Sequence, residues 1–190
     1  MSNRAASLLF LLLGLCCLAS PPCALAQGWV VSVRVGVVAR VEGEVWVRRH
    51  GAREAGLLKP GYGLSKGDLL LTGDNGRAEL TLNYGSYLLV APLSQVWIYE
   101  MGNDRIHLDI LRGEVSAIVE GKKGDTPLVL DTPPAELEII KHGHYVVRVA
   151  ADSSTEAYVE TGELRFVDSN KVTVRLKKHK RVRFAASVQR

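Results

Sequence analysis

Short apolar runs separated by turn residues recur along this chain, and no stretch sustains an apolar period of 3.6 residues. Runs begin at Ala78, Tyr87, Val96, Arg105 and Glu114, one every nine residues. Others follow from Leu128, Ala135, Tyr145, Thr155, Glu163, Lys171 and Arg181, with Gly, Asp and Asn between them. Many short strands at regular spacing specify an all-β fold. Glu136, Leu137, Glu138 and Ile139 alternate, which favours a strand over the helix their composition suggests, because residues two apart share a face only in a strand. Upstream, Val30–Val47 is valine-rich and broken at Gly36 and Gly43, whereas residues 48–60 are polar and have room for a short helical turn. The nine-residue pitch is a regularity of spacing and not a repeated sequence. It suits the stacked rungs of a β-solenoid-like roll, with a twisted β-sandwich as the alternative. No linker divides the chain, and Gly121–Asp125 reads as an exposed loop.

The N-terminal residues 1–26 read as a secretory signal. Arg4 supplies the positive end, Leu8–Leu18 the apolar core and Ala24-Leu25-Ala26 a small-x-small cleavage site before Gln27. That core is well short of the ~20 residues needed to span a bilayer, which disfavours retention as an anchor. Cys16, Cys17 and Cys23 lack the preceding context of a lipoprotein cysteine and leave with the signal, so the mature chain holds no cysteine. A periplasmic or secreted domain over 27–190 then relies on its apolar core alone, and at this length it buries about two thirds of its unfolded surface.

The formal charge is +4, and loss of Arg4 with the signal leaves +3. This is too mild to indicate nucleic acid, from which export would also separate the protein. The basic residues nevertheless cluster: Arg175, Lys177, Lys178, Lys180, Arg181 and Arg183 lie together near the C-terminus. Alternation puts Val172, Val174 and Leu176 on one face of a strand, with Thr173, Arg175 and Lys177 on the other, and turns Val182 and Phe184 inward. Two readings stand. The cluster is a solvated edge whose lysines block further strand pairing, or Lys177, Lys178, Lys180 and Arg181 dock an envelope protein or an anionic envelope polymer or lipid.

Catalytic patterns fail on inspection. Gly63-Leu64-Ser65-Lys66-Gly67 matches a nucleophile elbow, but that motif needs a following helix, and a leucine strand follows here. The spacing of Gly61, Gly63 and Gly67 misses the dinucleotide fingerprint. His142 and His144 would share a face in a strand, as zinc ligands do. However, Gly143 suggests a turn, and nothing selects a third ligand from His50, His107 or His179. Asp68 and Asp74-Asn75-Gly76 lack EF-hand spacing. Trp29, Trp46, Trp97, Tyr62, Tyr84, Tyr87 and Tyr99 are core residues by default, with Tyr84 exposed at a turn. No catalytic residue, metal or cofactor is expected.

One ordered set of motifs runs through these strands. Leu58, Gly61, Gly67, Asp68, Thr72, Gly73, the alternating Ala78, Leu80 and Leu82, and Gly85-Ser86 form its centre. Gly43-Glu44-Val45 precedes it, and Leu111-Arg112-Gly113-Glu114-Val115, Asp131-Thr132-Pro133-Pro134-Ala135, Gly143-His144-Tyr145-Val146-Val147 and a hairpin from Thr155 to Phe166 follow. The order and spacing resemble the FecR domain, an envelope module of Gram-negative bacteria, from about Gly36 to Phe184. His144 replaces the family's usual Thr, and Lys177-Lys178-His179-Lys180 lacks the glycine expected before the last strand.

In the family's signalling proteins, the resemblance implies, such a domain lies in the periplasm and relays contact with a TonB-dependent receptor to a cytoplasmic anti-sigma segment. This chain shows no such segment before its signal and no membrane helix after it. The expectation is therefore a non-enzymatic exported envelope protein acting as a binding or scaffold module. The alternative is a periplasmic regulator of FecR type working with a separate sigma/anti-sigma or TonB-dependent receptor partner. Gly67, Asp68, Thr72, Gly73, Gly85 and Ser86 are expected to serve the framework. Asp68 would accept backbone amides ahead of the leucine strand, and Gly73 and Gly85 would occupy turns with positive φ.

Overall fold

Turn residues break the apolar runs into fifteen strands with no helix among the described residues. The structure, a computed structural model, describes residues 35–82, 85–120, 127–168 and 171–185. The signal segment with its three cysteines, Trp29, Tyr84 and the loop Gly121–Asp125 lie outside them. β1 (Val37–Glu42), β2 (Val45–Arg48), β3 (Gly56–Leu57), β4 (Leu69–Thr72), β5 (Arg77–Thr81), β6 (Tyr87–Val90) and β7 (Gln95–Met101) precede the long β8 (Ile106–Val119). β9 (Leu128–Thr132), β10 (Ala135–Ile139), β11 (Gly143–Val149), β12 (Thr155–Thr161), β13 (Glu163–Asp168), β14 (Thr173–Lys177) and β15 (Lys180–Phe184) follow. The polar segment 48–60 carries the short β3, not a helical turn, because Gly56 and Leu57 pair with Trp46 and Val47.

The runs from Arg105 and Glu114, expected as separate strands, are one strand, and β8 organises the fold. Its first half pairs with β7 and β9, and its second half with β6 and β11. Two wings of one continuous sheet result. The first has the order β3-β2-β4-β7-β8-β9-β10-β13-β14, and the second β1-β5-β6-β8-β11-β12-β15. A register shift against β7 leaves Leu111 as an extra residue on β8, and Gly113 takes φ of 92°. A one-residue bulge reverses which side chains face inward. Accordingly, core positions change from Ile106, Leu108 and Ile110 to Val115 and Ala117 across the bend.

The wings enclose one core. Val38, Leu80, Leu88, Val147 and Val159 of the second wing join Leu70, Ile98, Leu130, Leu137 and Leu164 of the first in a single buried cluster. Each such aliphatic side chain contributes about 1.5–3 kcal/mol by leaving water. Phe166 on β13 stacks on Phe184 on β15, with centroids 3.6 Å apart, and ties the far ends of the wings together. All strand pairs among the described residues are antiparallel except β8 with β9. Of the nine-residue steps, those from β5 to β6 and from β7 to β8 join antiparallel neighbours, while β6 and β7 belong to different wings.

Candidate functional site

The residues expected to serve the framework make the following contacts. Asp68, 4% exposed, accepts the amides of His50 (3.2 Å) and Ser65 (3.0 Å) just ahead of the leucine strand β4. The Thr72 hydroxyl donates to Ala91 O (2.7 Å) and accepts from Ser94 N (2.8 Å). Ser86 Oγ donates to Glu120 O (2.7 Å) and accepts from Glu120 N (3.0 Å). A Cβ at Gly67 would lie 2.5 Å from the His50 ring. Gly85 has the expected positive φ, 86°. Gly73 does not. What favours glycine there is close approach, since a Cβ would come within 3.2–3.3 Å of Glu44 and Trp46.

Two parts of the framework escaped the sequence reading. Ser94, 1% exposed, bridges both backbone groups of Glu114 at the bend of β8. Fully buried Tyr145 donates its hydroxyl to Lys141 O and accepts Glu163 N at 3.0 Å. Burial pushes the Tyr145 phenol up from its ordinary pKa. Neither role carries a signal in the sequence, because both depend on long-range neighbours.

The outer face of the second wing is broad and mixed in charge. Cross-strand partners set Arg40, Glu79, Leu89, Ser116, Val146, Tyr158 and Arg181 in one row across its seven strands. In the neighbouring positions Glu42 faces Arg77, Arg148 faces both Glu114 and Glu156, and Glu156 faces Arg183. Arg148 pairs with Glu114 at 2.5 Å, while Arg181 pairs with Glu156 at 3.0 Å and lies over the Tyr158 ring. Opposite charges in facing positions stabilise a sheet and leave the apolar Leu89, Val146 and Tyr158 between them. A groove of about 280 Å³ opens between Arg40, Arg77, Glu79, Leu89 and Glu114.

The basic residues lie at the corner where β14, the last strand of one wing, turns into β15, the last strand of the other. His179 holds the turn with φ of 61°, standing in for the missing glycine. Among the described residues no carboxylate lies within ion-pair distance of Lys177, Lys178 or Lys180, whereas Arg181 is held by Glu156. Arg175 and Lys141 both reach Glu163, at 3.4 and 2.6 Å. Hydrogen-bonded Lys141 holds that carboxyl below its ordinary pKa. Leu176 is buried as expected, but Val172 and Val174 are exposed, because the core runs out at this edge.

Of the histidines, His142 is exposed ahead of β11, while the His144 ring is taken by Ser116 Oγ (2.6 Å) and Glu160. The structure instead gathers His107, Asp109 and Asp131. Nε2 of His107 lies 2.7 Å from Asp131 Oδ2 and 3.7 Å from Asp109 Oδ1. Burial, and then the nearby Asp131 charge, raise the pKa of Asp109. Alternation in the sequence puts His107 and Asp109 on one face, but only the pairing of β8 with β9 brings in Asp131.

The model of the family described as FecR protein matches residues 68–165. Two crystal structures of a putative anti-sigma factor from Parabacteroides distasonis ATCC 8503 have a similar fold, at 16% identity with TM-scores of 0.50 and 0.49. Each match covers 64% of this chain and 61% of the other, so the chain spans less than two thirds of that protein's length. No curated protein matches the chain.

Proposed function

Because the chain belongs to the FecR family, we propose that it is the binding domain of a regulator of FecR type, working with a separate sigma/anti-sigma or TonB-dependent receptor partner. Within this reading it binds and does not catalyse. It is exported, with Gln27 at its mature N-terminus, which the mass of the mature protein tests. The observation that carries the proposal is the outer face of the second wing. Its row from Arg40 to Arg181 crosses seven strands, has apolar Leu89 and Tyr158 between its charged ends, and is flanked by facing pairs of opposite charge. Arg, Tyr and apolar side chains framed by polar neighbours are the composition of protein-binding surfaces. Of the two architectures expected, the spacing of the runs supports the solenoid-like roll. The enclosure of one core by two wings supports the sandwich.

The test is photo-crosslinking in the producing cells, with a photoreactive residue at Leu89 or Tyr158 of the full chain. A protein adduct that is lost on Arg40→Glu or Arg181→Glu supports the reading. No protein adduct from either position would overturn it. A second reading, docking to an anionic envelope polymer, rests on the ammonium groups of Lys177, Lys178 and Lys180, which have no carboxylate within ion-pair distance among the described residues. Such binding weakens steeply between 0.1 and 1 M salt, as the Debye length falls from ~10 to ~3 Å. It is lost when these lysines and Arg181 become Ser. Capture from envelope extract that is indifferent to both changes leaves the corner as a protected sheet edge.

A further inference from the structure

The outer face of the first wing carries an arrangement of charge that the second wing avoids. Cross-strand partners align Trp97, Asp109, Asp131, Glu136, Val167 and Thr173 in one row over β7, β8, β9, β10, β13 and β14. Three neighbours in that row are carboxylates and none of the six is basic, although like charges directly opposite one another destabilise a sheet. His107 shares the face of Asp109 and is 8% exposed, with its Nε2 directed between the two aspartates. Asp109 Oδ1 and Asp131 Oδ1 are shielded from solvent and have no hydrogen-bond partner among the described residues. Buried carboxylate oxygens are ordinarily paired, hydrogen-bonded or bound to a metal.

We propose that His107, Asp109 and Asp131 bind a divalent transition-metal ion through one imidazole nitrogen and two carboxylate oxygens. Their ligand atoms all lie within 4.8 Å of one another. Zinc takes such ligands at about 2.0–2.2 Å, so a modest rotation of the carboxylates closes the site. The imidazole selects against Ca²⁺ and Mg²⁺, which prefer all-oxygen shells. The aspartate side chains are 30% and 35% exposed, which leaves the remaining position open to water or to a partner's donor. A bound ion neutralises the acidic row. It also clamps β8 to β9, the parallel pair that no tight hairpin can join.

Metal-stripped full chain is titrated with ZnCl₂ by calorimetry, with thermal melting alongside and Co²⁺ absorption as a spectroscopic check. One ion is bound per chain, the melting temperature rises, and tetrahedral Co²⁺ bands appear. Loss of an outer-shell group alone weakens metal sites about 10–100-fold. His107→Gln, Asp109→Asn and Asp131→Asn should each weaken affinity at least that much, while His142→Ala leaves it unchanged. In metal-free buffer Asp109→Asn melts no lower than the original protein, because it removes a like charge from the row. Absence of Zn²⁺ and Co²⁺ binding, undiminished affinity in the aspartate variants, or a lower metal-free melting temperature for Asp109→Asn would each overturn the assignment.

Discussion

Replacing Gly113 by Ala probes the bend on which both wings depend. At φ of 92° any L-residue there is strained, by roughly 1–2 kcal/mol. Its Cβ would lie 2.5 Å from Ser94 Cα and closer still to Ser94 Oγ, so the serine must move. Moving it breaks two hydrogen bonds, from Glu114 N to Ser94 Oγ (3.0 Å) and from Ser94 Oγ to Glu114 O (3.2 Å). At about 1 kcal/mol net for each bond, the expected loss is roughly 3–4 kcal/mol. Gly51 is the control, because its φ is 75° but nothing lies within 4 Å of a Cβ placed there. Gly51→Ala should cost only about 1 kcal/mol. In urea, with a slope of about 2 kcal/mol per molar, the midpoints should fall by about 1.5–2 M and about 0.5 M respectively. Equal midpoints for the two variants would refute the claim that the Gly113–Ser94 contact holds the bend.

Two further outcomes follow from the buried polar groups. Thr72→Val keeps the side-chain shape but leaves Ser94 N and Ala91 O without the hydroxyl. It should lower stability by about 1–3 kcal/mol, seen as an earlier urea midpoint at unchanged slope. Glu163 has its pKa depressed below the ordinary 4.5, so it adds stability that is complete above that value and is lost as pH falls through the lower folded pKa. Melting curves from pH 7 to pH 2 should therefore show Glu163→Gln less stable at neutral pH and less sensitive to acid; parallel curves would contradict this.

How far the fold was legible in the sequence varied with the range of the interaction. Local alternation located strand after strand: the runs predicted from Tyr87, Leu128, Ala135, Thr155 and Glu163 start where β6, β9, β10, β12 and β13 do. The order of motifs identified the family, and the residue types at Asp68 and Ser86 indicated framework roles. The merger of two runs into β8 was not legible, because a one-residue bulge looks like the end of a strand when only the sequence is read. Gly73 illustrates the same limit. A turn glycine suggests positive φ, yet the reason for this one is the approach of Glu44 and Trp46, residues far away in the chain. The aspartate row was equally hidden, since it depends on which strands lie side by side and in what direction.

The sharing of β8 bears on how the protein acquires and loses its structure. Neither wing has its central hydrogen-bonding neighbours without half of that strand, so neither is a separate cooperative unit. Amides at the middle of β8 should exchange with solvent only through global opening, while β3, β14 and β15 at the sheet ends exchange through local fraying. Assembly also waits on distant segments, since Val115 must find both Val90 and Val147 before either wing is closed. A fold dominated by such remote pairings has high contact order and belongs among slow folders, on the millisecond-to-second scale. During that interval the unpaired edges of β8 are the ones most in need of protection from other chains.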